Sequence, residues 1–106
     1  MSKVLNFNTL KRKTMTIVMN DEEQTKLSVC VPKKEMLDNM IALKDVKENE
    51  ESVNMLYEVC AELINNNREG KTYTVEELKE MLEFEDLLVF VQYFTDFINE
   101  VQSSKN

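Results

Sequence analysis

The chain has 106 residues, 42% of them hydrophobic, with 13 Lys/Arg against 20 Asp/Glu and a net charge of −7. That length is one domain with one modest core. No His, one Gly, one Pro and two Cys exclude Ser-His-Asp triads, histidine metal sites, Gly-rich phosphate loops and four-cysteine zinc sites.

The charge is uneven. Residues 1–47 hold nine basic and six acidic residues (+3), and residues 48–106 hold four and fourteen (−10), which sum to −7. An acidic chain repels nucleic-acid phosphates, so no nucleic-acid partner is expected. The basic run Lys11-Arg12-Lys13 reads as a solvated strand entry. No apolar run is long enough to span a membrane, and Met1-Ser2-Lys3-Val4-Leu5 lacks the pattern of a signal peptide. The expected location is the cytoplasm, where Cys30 and Cys60 serve as small buried hydrophobes.

Residues 1–11 are weakly patterned, an arm or an irregular first strand. A β-hairpin follows. In residues 14–19, Met15, Ile17 and Met19 alternate with Thr14, Thr16 and Val18; in residues 25–31, Leu27, Val29 and Val31 alternate with Lys26, Ser28 and Cys30. Period-2 alternation rich in β-branched residues marks half-buried strands, and a lone hairpin needs helices against its apolar face. Pro32 ends the second strand, and Met36, Leu37, Met40, Ile41 and Lys44 give residues 33–45 a helical spacing. Residues 44–49 read as a loop, with Asn49 as N-cap of a helix over 50–64. Its stripe is Val53, Leu56, Tyr57, Cys60, Leu63 and Ile64, about 120° wide.

Thr74-Val75-Glu76-Glu77 is a capping box that opens a short helix with Val75, Leu78, Met81 and Leu82 inward. Glu83-Phe84-Glu85-Asp86 begins the last helix, which runs to about Gln102 before a frayed 103–106 tail. The fold class is α+β in a single domain: an N-terminal hairpin, then about four helices, the last one central and aromatic-rich.

That last helix is the most informative element. Phe84, Leu87, Val91, Phe94, Ile98 and Val101 form one stripe, Phe90, Tyr93 and Phe97 widen it, and Leu88 borders it. The arc is about 220°, more than a helix needs to pack on its own domain. One reading is a helix wrapped by the rest of the chain. The other leaves part of the arc for a partner or a second copy. The candidate partner-binding residues are Leu88, Phe90, Tyr93, Phe94, Phe97 and Val101. Seven Met, among them Met15, Met19, Met36, Met40, Met55 and Met81, read mainly as core.

Two further patterns have simpler accounts. Asn65, Asn67, Glu69, Gly70 and Glu76 match positions 1, 3, 5, 6 and 12 of an EF-hand loop, but Thr72 stands at the apolar position 8. A helix end, a Gly turn and a capping box cover the same residues, so no metal or cofactor is expected. Carboxylate pairs such as Glu76 with Glu80, or Glu83 with Asp86, suit solvated helix faces, and no catalytic group stands out. The protein reads as a non-enzyme.

The basic start Lys11-Arg12-Lys13-Thr14-Met15-Thr16-Ile17, the Thr74-Val75-Glu76-Glu77-Leu78 segment and the run Leu87-Leu88-Val89-Phe90-Val91-Gln92-Tyr93-Phe94-Thr95-Asp96-Phe97-Ile98 together resemble the short tail assembly chaperones of long-tailed, siphovirus-type bacteriophages and prophages of Gram-positive bacteria. The resemblance covers residues 12–106 and is one of layout and size. It implies binding to the tape measure protein, help in assembling the tail tube protein around it, and absence from the finished particle. It also implies a longer frameshifted product, to which the codons of Lys105-Asn106 could contribute. The rival reading is an acidic inhibitor that mimics nucleic acid and blocks a host enzyme. A charge mimic loses its partner steeply as salt rises, whereas a chaperone gripping through apolar surface does not.

Overall fold

The computed structural model describes residues 4–7, 12–41 and 49–103, and for residues 102 and 103 the backbone alone. The architecture is α+β: an antiparallel hairpin of β1 (Thr14–Val18) and β2 (Lys26–Cys30), then helices α1 (Lys34–Ile41), α2 (Glu50–Asn65), α3 (Val75–Met81) and α4 (Phe84–Ser103). Of the arm or first strand expected over 1–11, residues 4–7 form no strand and the rest lies outside the described residues, as do Lys44, the 44–48 loop and residues 104–106.

The hairpin register pairs Met15 with Val29 and Ile17 with Leu27, which puts the predicted apolar residues of both strands on one face. Leu27 and Val29 are fully enclosed, and Met15 and Ile17 pack beside them. Val31, expected to continue the apolar set, is exposed because β2 stops at Cys30. The hairpin loop has no Gly. Instead Asp21 takes the backbone N–H of Thr25 (2.9 Å) and its hydroxyl (2.6 Å), while Gln24 adopts the left-handed conformation with φ 51°. Those two bonds hold the Asp21 carboxyl below its ordinary pKa.

β2 is bonded on both sides. The N–H of Cys30 donates to the Asn66 carbonyl (2.8 Å), the N–H of Arg68 to the Ser28 carbonyl (3.0 Å), and the N–H of Ser28 to the Glu69 carboxylate (2.7 Å). Its even-numbered residues therefore face the segment after α2, and its odd-numbered residues face β1. The Ser28 bond also holds the Glu69 carboxyl below its ordinary value. The same loop is closed by side chains. Asn65 pairs with Tyr73 through N–H (2.8 Å) and carbonyl (2.9 Å), and Asn67 pairs with Lys71 in the same way (3.0 and 2.9 Å). Gly70 sits at φ 72°, where a side chain would strain the turn.

Asn49 caps α2 by accepting the Ser52 N–H at 2.9 Å, and the Thr74–Glu77 capping box forms as the sequence predicts. The aromatic residues concentrate on α4, but the hub is α2, which packs against α1, α3, α4 and β2. Its buried arc, Leu56 through Ile64 with Val59 and Ala61 added to the expected stripe, spans about 200°. The slender Cys60 at the middle of that arc and the small Ala61 at its edge let neighbours approach where a larger side chain would hold them off. Cys60 is fully enclosed, and burial pushes its thiol up to about 12. Like Val31, two more apolar residues expected inside are outside: Ile41 at the end of α1 and Met55 on the outer face of α2 are exposed.

Candidate functional site

The candidate site is a groove where α4 passes β1. Its volume is ≈ 450 Å³, and its walls are β1 from Met15 through Val18 with the following Met19 and Asn20, Ile64 of α2, Leu82, and Asp86, Val89, Phe90 and Tyr93 of α4. Local interactions fix these walls. Tyr57 donates its hydroxyl to the Leu82 carbonyl at 2.6 Å, and Asn20 reaches from the hairpin loop to the Met81 carbonyl at 3.0 Å. Asp86 accepts the Glu83 N–H at 2.8 Å and so anchors the first turn of α4 beside the hairpin. Burial, with the nearby Asp86 and Glu83 carboxylates, raises the pKa of the Tyr57 phenol above its ordinary value.

The six candidate residues of α4 divide. Phe94 is completely enclosed and Phe97 nearly so. They belong to the core, with ring centroids 5.9 Å apart, and Phe90 lies 5.7 Å from Phe94 on the other side. Val101 packs half-buried against that core. Leu88 is exposed, but five residues along a helix place it about 140° around the axis from Tyr93, on the flank away from the groove. Of the six, Phe90 and Tyr93 alone line the groove, Phe90 half-buried and Tyr93 66% exposed. The assignment of Phe94 and Phe97 to a partner surface is thus corrected: both are buried in the hydrophobic core.

The residues missed from sequence are Val89, which is exposed in the groove, and the β1 residues on its other wall. One signal could have found them. For the strand wall it is that β1 carries no charge.

A second, polar depression of ≈ 600 Å³ lies between the start of α1 and the end of α2, lined by Lys33, Glu35, Met36, Asn39, Glu62, Asn65 and Asn66. Among the described residues no three His, Cys, Asp or Glu side chains gather closely enough to hold a metal ion. The EF-hand-like residues Asn65, Asn67 and Glu69 instead bond backbone groups. No described helix is long and apolar enough to cross a membrane. Neither family models, curated proteins nor solved structures yield a match to this chain.

Proposed function

We propose that this protein is a non-enzymatic assembly chaperone of the phage tail class, binding its client in the groove between β1 and α4. One observation carries the reading: an open apolar groove lined by half-buried Phe90 and rimmed by exposed Val89 and Tyr93, on a helix whose Phe94 and Phe97 are buried in the core. Met15 and Met19 on the opposite wall are unbranched and adapt to varied apolar side chains. The net −10 of residues 48–106 favours a client with basic flanks. A helical or extended apolar segment of the tape measure protein has the required chemistry, with the tail tube protein as second contact.

The test is co-expression with the large gene product encoded just downstream, reading that product's soluble fraction and its co-purification. The reading requires that this chain raise both, and that Tyr93→Asp or Val89→Asp abolish both while the variants stay folded. No complex, or one indifferent to both substitutions, contradicts it. A complex that disappears steeply with salt favours the acidic host-enzyme inhibitor instead.

A further inference from the structure

Beyond the client reading, and independent of it, stands the outer edge of β1. Because the odd-numbered residues of β2 bond to β1 in a register that pairs Met15 with Val29 and Ile17 with Leu27, the N–H and C=O groups of Thr14, Thr16 and Val18 point the other way. Among the described residues none of these outward groups has a hydrogen-bond partner. Strand edges are ordinarily blunted by a Lys, a Pro or a bulge. Thr14-Met15-Thr16-Ile17-Val18 has none of the three.

We propose that a second copy of this chain pairs on that edge, antiparallel across a two-fold axis at Thr16, giving a four-stranded sheet in the order β2-β1-β1-β2. Thr16 then faces Thr16 of the other copy and Thr14 faces Val18. Each outward residue exchanges two backbone bonds, the isologous pattern a two-fold demands.

Charge selects this occupant. The strand is preceded by Arg12 and Lys13 and followed, in the hairpin loop, by Asp21, Glu22 and Glu23. Antiparallel self-pairing lays the basic end of each copy along the acidic end of the other, at both ends of the joined strands. A parallel arrangement would set like charges together. Residues directly opposite in an antiparallel pair project to the same face, so the two α4 helices lie under the same side of the joined sheet. The two grooves then lie on the same face of the joined sheet, one in each copy, with Val89 and Tyr93 still on their rims. A two-stranded sheet, marginal by itself, becomes a four-stranded one.

Light scattering or sedimentation of the full chain, without any client, reads this proposal alone. The expected mass is twice 12.5 kDa, falling to a single 12.5 kDa in Thr16→Lys, which sets two Lys face to face on the axis. The Thr16 side chain is exposed, so circular dichroism and the melting transition should be kept. A wild-type monomer overturns the proposal, as does a Thr16→Lys variant that stays dimeric. If Thr16→Lys loses its fold, charge exchange decides. Lys13→Glu should give a monomer, and adding Glu22→Lys and Glu23→Lys should restore the dimer; failure to restore overturns the pairing. Client solubility, read separately, leaves this result untouched.

Discussion

Tyr93 and Phe94 are adjacent in α4, yet one is 66% exposed and the other 0%. They represent two regions built on the same helix. Toward α2 and α3, Phe94, Leu87 and Ile98 are buried in one core cluster with Leu63, Ile64 and Leu78. Toward β1, Val89, Phe90 and Tyr93 border an open groove beside a strand edge whose backbone groups lack partners among the described residues. The difference teaches that stability and recognition are carried by different faces of one element, about 100° apart per residue. Substitutions one position apart should therefore fail in different ways.

The largest expected effect is in the filled region. Phe94→Ala should cost about 3–5 kcal/mol, a large share of the roughly 5–15 kcal/mol that holds a domain together, read as the shift in urea midpoint. Next comes Cys60, enclosed in the same region. Its thiol titrates at about 12 when folded against 9.0 for a free one, so the unfolded chain ionises first. Stability is full below 9.0 and drains as pH rises toward 12, by up to about 1.4 kcal/mol per pH unit. Urea midpoints of wild type and Cys60→Ala across that range check it: Cys60→Ala starts lower and loses less. At neutral pH, alkylation of the native chain should modify Cys30 before Cys60.

Smaller effects sharpen the contrast. Thr74→Ala removes the hydroxyl half of the capping box and should cost about 1 kcal/mol, visible as lost amide-exchange protection at Glu77. Asp21 and Glu69 have lowered carboxyl pKa values, from 3.8 and 4.5, so the folded chain binds fewer protons. Their contribution is present above those values and is lost as pH falls through the folded ones. Glu69 is exposed and Asp21 only half-buried, so the loss is slight, and Glu69→Gln should flatten the acid limb of the urea midpoint. Least of all for stability, Tyr93→Asp should fall within about 0.5 kcal/mol of wild type, although it puts a charge in the groove.

Much of the fold was legible because it rests on local chemistry. Alternation in residues 14–19 and 25–31 marked the hairpin, Asn49 and Thr74 marked two helix starts, and the acids of 83–86 marked a third. The site was legible only in outline. The wide arc of α4 announced surplus apolar surface, but helical spacing fixes residues relative to one another and leaves free how the helix is turned against its neighbours. Packing on α2 decided that, turning Phe94 and Phe97 in and Val89 and Tyr93 out. The hub was misplaced for a related reason. Val59 and Ala61 fall outside a narrow stripe, and only contacts on three sides of α2 reveal that they are buried.

The measurement that tests the central claim most directly is client capture by Tyr93→Asp beside wild type, scored together with the melting transition of each. The account predicts an unchanged transition and a client that no longer stays soluble or co-purifies. A Tyr93→Asp protein that melts as wild type does and still captures the client would contradict it.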